Sequence, residues 1–216
     1  MKSFVVIGLG RFGISLAREL CDQGHEVLAI DVLEEQVQAV ADVVTQAVAA
    51  DARDPEALRA LGVRNYDCAV VAFSADVGDS ALITLNLKEL GVPRVVSKAS
   101  SAVHRKVLEK IGADQVVFPE QEMAIHLARN LSDVDVLNFI ELSKDFSVVE
   151  RRCPKPWQGG SLRGLNIRAK YHLNVVAIRQ ESGEMIISPE GDYAFQAGDC
   201  LVVLGSNQDI ERMEKL

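Results

Sequence analysis

The stretch that decides the fold is Phe4-Val5-Val6-Ile7-Gly8-Leu9-Gly10-Arg11-Phe12-Gly13-Ile14-Ser15-Leu16-Ala17-Arg18-Glu19-Leu20. Phe4 to Gly8 is an apolar run of strand length, and Leu16, Ala17 and Leu20 then fall at helical spacing. Between them lies G-x-G-x-x-G, a weak signal alone and a strong one between a strand and an amphipathic helix. Gly8 permits the tight turn, Gly10 lets the backbone approach a phosphate, and Gly13 allows the helix to pack closely on the strand. The free N–H groups at the helix start, with the positive end of the helix dipole, favour a phosphate.

Outward from this turn the alternation of short apolar runs and helical patterns repeats. Runs at Phe4 to Gly8, Glu26 to Ile30, Thr45 to Ala49, Cys68 to Phe73, Arg94 to Ser97 and Gln115 to Phe118 predict six strands. Such alternation marks an α/β fold, here a doubly wound, parallel, Rossmann-like sheet covered by helices. Gly24, Gly62, Gly91 and Gly112 stand where helices should end. In the fifth helix Val103, Val107, Leu108 and Ile111 form the apolar stripe. The fourth, Asp79 to Leu90, carries more apolar side chains than one sheet face can cover. A subunit interface, or burial beneath the C-terminal part of the chain, would use the surplus.

Beyond the sixth strand, residues 121–132 read as a helix, and the apolar stretch Val136 to Leu142 can cross to a partner subunit. The pattern then changes. Pro154, Pro156, Gly159 and Gly160 mark a turn-rich segment. A short helical piece follows, with strands at Asn174 to Arg179, Glu184 to Ser188 and Asp199 to Leu204 and a hairpin loop at Glu181-Ser182-Gly183. This describes a small α+β module, and the chain divides into domains at 1–133 and 134–216.

With 216 residues, 48% of them hydrophobic, the chain can bury cores in both domains. The 31 acidic residues outnumber 23 basic ones, and the net charge of -8 argues against nucleic acid or anionic lipid as a non-specific partner. No apolar run approaches the ~18 residues of a membrane span, and Met1-Lys2-Ser3 lacks the features of a signal peptide, so a cytoplasmic protein is expected. Cys21, Cys68, Cys153 and Cys200 have neither zinc nor redox spacing and read as buried thiols. His25, His104, His126 and His172 have no metal-ligand spacing and read as surface residues.

Asp31, at the end of the second strand, stands where a carboxylate accepts hydrogen bonds from a ribose; helix capping is its alternative role. Val32, Leu33 and Glu34 follow it with no cation, which disfavours NADP against NAD, ATP or ADP. Asp51-Ala52 lies where an adenine edge would rest, and Ser74 follows the fourth strand beside the crevice; each also fits an ordinary loop or capping role. Arg11 places a cation inside the glycine turn and suits a triphosphate better than a dinucleotide, and Lys98 can add charge at the same mouth. Glu120, after Phe118-Pro119, can hold Mg²⁺ or Ca²⁺ near phosphates, though taken alone it reads as a helix cap.

These residues, together with Leu108-Glu109-Lys110-Ile111-Gly112-Ala113-Asp114, Arg168-Ala169-Lys170-Tyr171 and Gly198-Asp199-Cys200-Leu201, resemble the RCK (KTN) regulators of bacterial Ktr and Trk potassium uptake over nearly the whole chain. The resemblance implies a regulatory subunit and not an enzyme. It implies a nucleotide-binding domain, a ligand-binding C-terminal domain preceded by a crossover segment, and homodimers in an octameric ring. The ring would grip a KtrB/TrkH-like membrane potassium-translocating subunit, placing the protein peripherally at the inner face of the cell membrane. By position, Gly8, Gly10 and Gly13 would border the phosphates, Asp31 the ribose, Arg11 the γ-phosphate and Glu120 a divalent cation, with Phe12 of the same turn also in the nucleotide site. ATP would favour the active ring and ADP the inactive one. Cyclic di-AMP would lie near Arg168 and Asn174. The competing readings are an NAD-dependent oxidoreductase, which lacks a placed proton donor, and an NAD(H)-sensing transcriptional regulator, which lacks a helix-turn-helix.

Overall fold

The computed structural model of the protein describes residues 1–73, 75–132 and 136–216, with backbone alone at 126, 129, 130, 132, 136–138 and 214. The chain separates into two compact units, Met1–Glu120 and Gln121–Leu216. The boundary expected after residue 133 lies outside the described residues.

The first unit runs β1 (Ser3–Ile7), α1 (Arg11–Asp22), β2 (Glu26–Asp31), α2 (Glu34–Gln38), β3 (Gln46–Ala49), α3 (Pro55–Ala60), β4 (Cys68–Val71), α4 (Val77–Glu89), β5 (Val95–Lys98), α5 (Ala102–Lys110) and β6 (Gln115–Val117); helix α6 (Pro119–Ser132) follows. The six strands form one sheet in the order β3-β2-β1-β4-β5-β6, and every pairing is parallel. Strand order reverses between β1 and β4, which opens a crevice at the carboxyl ends of those strands. Both sheet faces are covered: Val5, Ile7, Leu28 and Ile30 pack into one core with Leu58 and Leu87, and Val6, Val27 and Ala29 into another with Leu9, Ala17 and Val40. Burial on both faces is why these strands read as unbroken apolar runs.

Helices α1, α4 and α5 close with backbone bonds from His25 N to Leu20 O, Val92 N to Leu87 O and Ala113 N to Leu108 O, the geometry of a glycine-terminated helix. Helix α4 starts ahead of Asp79 because the Asp76 carboxylate accepts the Asp79 N–H at 2.9 Å and caps it. Ile83 and Leu87 face the core while Leu82 and Leu85 stay 43% and 38% exposed, which is the apolar surplus expected of this helix. On α5 the buried stripe is shifted from the expected one. Val103 is 71% exposed, whereas His104 is fully buried with Leu108. His104 is therefore not a surface histidine. Burial is tolerated because the Ser100 N–H donates to its Nδ1 at 3.2 Å, with the Ser100 hydroxyl at the same distance. The side chain of His126 lies outside the described residues.

The second unit contains β7 (Val136–Glu141), β8 (Phe146–Arg152), α7 (Leu162–Leu165), α8 (Ile167–Tyr171), β9 (Asn174–Arg179), β10 (Met185–Ile187), β11 (Cys200–Ser206) and α9 (Asn207–Glu214). Its sheet runs β10-β9-β11-β8-β7 and is antiparallel throughout. Residues 136–141, expected to cross to a partner, form the edge strand beside β8. Trp157, Phe195, Leu201 and Val203 are central to its core, with the Trp157 ring 5.1 Å from that of Tyr171 and 6.2 Å from that of Phe195. Asp199 is buried beside them and accepts from the Tyr193 hydroxyl at 2.9 Å and the Gln196 N–H at 2.8 Å, so the Gly198-Asp199 turn is fixed from inside. The four cysteines are free, with Cys68, Cys153 and Cys200 buried, and burial pushes the Cys153 thiol up to about 12. No helix among the described residues is long and apolar enough to cross a membrane.

Candidate functional site

The glycine turn is shaped by contacts that leave no room for side chains. Gly8 adopts φ +92°, and a Cβ there would meet Phe73 atoms at 2.8 and 2.9 Å; the loop after β4 thus lies against the end of β1. A Cβ on Gly13 would come 1.9 Å from the Gly8 carbonyl oxygen, so this glycine sets how closely α1 approaches β1. Gly10, by contrast, has open space on its Cβ side. It is the N-cap of α1 and offers no side-chain bond, and the first turn holds no acidic residue. No acidic side chain within that first turn competes for its N–H groups or for the helix dipole.

That cavity encloses about 520 Å³ and is bordered by Gly8, Gly10, Arg11, Asp31, Asp51 and Ala52, with Phe73 and Ile83 supplying apolar surface. Six of the residues expected from sequence are thus brought together by the ends of β1, β2 and β3. Phe12 and Gly13 stand in the first turn of α1 behind them. Ser74 lies outside the described residues.

Asp31 Oδ2 accepts the Leu9 N–H at 2.6 Å and Oδ1 accepts the Leu33 N–H at 2.9 Å. A carboxylate has about four acceptor positions, so two remain for ligand hydroxyls. Asp51 is gripped by Arg53, whose Nε and Nη2 lie 2.9 and 2.8 Å from its two oxygens. This hydrogen bonding holds the Asp51 carboxyl below the usual carboxylate range. Sequence reading missed Arg53; the signal it left is its place two residues after Asp51, where a long side chain can fold back onto the acid.

At the neighbouring ends of β5 and β6 a second charged group forms. Lys98 pairs with Val117 across the sheet, and its Nζ reaches Glu120 Oε1 at 2.6 Å while lying 5.6 Å from the centre of the Phe12 ring. The Lys98 hydrogen bond, with a smaller contribution from the Arg11 charge, lowers the Glu120 pKa. Glu120 is thus held by an ammonium group. Among the described residues no group of three or more His, Cys, Asp and Glu side chains could by itself hold a metal ion, so a cation at Glu120 would need oxygens from its ligand or from another chain.

In the second unit, Arg168 Nη2 donates to Asn174 Oδ1 at 2.8 Å. Both border a cavity of about 550 Å³ whose other walls include Arg163, Ile167 and Pro189. Arg163 pairs with Asp192 at 2.9 Å on its outer side. The two residues expected to share a C-terminal ligand site are therefore in direct contact.

A Rossmann-type nucleotide-binding sheet followed by a five-stranded antiparallel domain defines the class of this protein. Residues 4–119 match the TrkA-N domain and residues 148–216 the TrkA-C domain. The chain belongs to the family built from these two domains. It is 45% identical over 213 residues to Ktr system potassium uptake protein A of Bacillus subtilis, covering 99% of this chain and 96% of that one. It is 44% identical over 214 residues to Ktr system potassium uptake protein C of the same organism, with the same coverages. Among solved structures, the GsuK channel superposes with a TM-score of 0.71 at 18% identity, over 100% of this chain and 39% of that one, so this chain spans well under half of the channel polypeptide. The likeness is one of fold, and it extends to the crystal structure of the GsuK RCK domain, with a TM-score of 0.53 at 21% identity over 99% of this chain and 46% of the other.

Proposed function

We propose that this chain is the nucleotide-sensing regulatory subunit of a membrane potassium uptake system, with no catalytic activity of its own, working peripherally at the cytoplasmic face of the cell membrane. The observation that carries the reading is the cavity at the glycine turn, where helix amides and Arg11 border one part and the Asp31 carboxylate another. A ligand with a polyanionic tail and a sugar diol matches both, and names of relatives over 40% identical along 99% of the chain supply the potassium system.

In this reading the γ-phosphate meets Arg11, the ribose hydroxyls take the two remaining acceptor positions of Asp31, and the base lies at Asp51-Ala52. ATP carries one more phosphate than ADP for Arg11 to meet. A ligand shifts a conformational equilibrium only by its difference in affinity for the two states, with about 1.4 kcal/mol for each tenfold change. Homodimers arranged in an octameric ring would turn that difference into a change of ring shape, transmitted to the potassium-translocating subunit. Glu120 would bind Mg²⁺ or Ca²⁺ together with phosphate oxygens once its pair with Lys98 opens. The Arg168-Asn174 cavity would take cyclic di-AMP, its guanidinium facing a phosphodiester.

The test is a set of calorimetric titrations with ATP, ADP, NADH and NADPH, followed by co-purification with the membrane subunit and mass measurement of the complex. Tighter binding of ATP than of NADH, with an intact complex, supports the proposal. A preference for NADH with substrate turnover would replace it by an oxidoreductase.

A further inference from the structure

Arg53 ties together two elements that border the nucleotide cavity. Besides gripping Asp51, it donates its backbone N–H to Asp51 Oδ1 at 3.0 Å and extends Nη1 to Asp79 Oδ2, on the first turn of α4, at 3.3 Å. From the same helix Asn86 Nδ2 donates to the Arg53 carbonyl at 3.0 Å. Main chain and side chain are therefore both anchored.

Side-chain exposures of 48%, 43% and 36% for Arg53, Asp51 and Asp79 make these surface ion pairs, which contribute little to fold stability. Their consequence is geometric. Bonded at both oxygens, Asp51 has no freedom to turn, and it stays ionised, so it can only accept hydrogen bonds. The Arg53 backbone N–H and Nε lie on Oδ1 and Nη2 on Oδ2, with Nε shared to Oδ2 at 3.2 Å; three hydrogens thus serve roughly four acceptor positions, and the side of Oδ2 turned from the guanidinium is left for one more donor.

We propose that Arg53 is the positioning residue for base specificity, holding Asp51 as a fixed acceptor that takes the exocyclic amine of a 6-aminopurine and turns away 6-oxopurines. This rests on the reading that the base lies at Asp51. At the position of the 6-substituent a 6-oxo group would set a carbonyl oxygen against the carboxylate, and the N1–H donor of that base, one ring atom away, could be reached only if the base shifted or the carboxylate turned; such mismatches are what sites of this kind discriminate by. A carboxylate free to rotate would swing away and lose the distinction.

Calorimetric titration of the full chain with ATP and with inosine triphosphate tests this, the two differing only at the base. The unchanged protein should bind ATP at least about tenfold tighter than inosine triphosphate. Arg53→Ala should lower that ratio toward one by weakening ATP binding, with its melting temperature little altered, and Arg53→Lys should restore part of it. In an Asp51→Asn background Arg53→Ala should leave the ratio where it was. Equal weakening of both nucleotides by Arg53→Ala, or no preference in the unchanged protein, overturns the proposal while leaving nucleotide binding intact. Failure of both nucleotides to bind overturns the site assignment as well.

Discussion

The Leu9 amide donates to the Asp31 carboxylate at 2.6 Å, so the acid at the end of β2 also pins the turn after β1. Ligand recognition and local architecture share one side chain. Asp31→Ala should accordingly have two effects. Loss of charge-assisted hydrogen bonds worth about 1.5–3 kcal/mol each should weaken ATP binding by about 10- to 100-fold. Loss of the pin should lower the melting temperature by about 2–4 °C for each kcal/mol removed. Calorimetric titration and scanning calorimetry read these separately, and an unchanged melting temperature would refute the pinning role.

Gly10 and Gly13 stand three residues apart and should fail differently. Gly13→Ala forces a Cβ to 1.9 Å from the Gly8 oxygen, and overpacking of this kind costs about 1–3 kcal/mol or more. Gly10→Ala meets no protein atom within 4 Å, so it should fold normally and lose affinity only because its methyl group occupies phosphate space. Thermal melts with and without ATP check the pair: Gly13→Ala should melt lower in both, Gly10→Ala only in the presence of nucleotide.

Lys98 competes with any cation for Glu120, since its Nζ sits 2.6 Å from Oε1. Lys98→Met should free the carboxylate, and Mg²⁺ or Ca²⁺ titrated into the ATP complex should bind about tenfold tighter than in the unchanged protein. Glu120→Gln should abolish that gain. Weaker cation binding in Lys98→Met would remove Glu120 from the cation site.

His104 is buried, and burial lowers its pKa from the ordinary 6.5. The folded protein therefore binds fewer protons there than the unfolded chain. Its contribution to stability is full above the unfolded value and falls as pH drops from that value through the depressed folded one. Melting temperatures measured from about pH 7.5 to 5.5 should decline, and His104→Gln should make that decline shallower. An equal slope in both proteins would show that other groups carry it.

The parallel sheet was legible because two-sided burial writes each strand as an apolar run, and Gly8, Asp31 and Asp51 were legible because strand ends in such a sheet converge on one crevice. Strand β8 was not, because Glu150, Arg151 and Arg152 obscure an alternation whose buried positions are Ser147, Val149 and Arg151. His104 took the core position expected of Val103 because its local partner, Ser100, satisfies the ring at Nδ1. The Lys98-Glu120 pair depends on strands β5 and β6 lying side by side, a neighbourhood that spacing along the chain does not reveal. Arg53 was hidden for the same reason, since its reach to Asp79 spans 26 residues of sequence.

Trp157 is the only tryptophan in the chain and is sealed in the core of the second unit, while the glycine-turn cavity belongs to the first. Emission excited beyond the tyrosine band therefore comes from one indole, fully buried within the second unit. A change in its colour or lifetime when ATP is added would be the optical signature of a message received in one domain and delivered in the other.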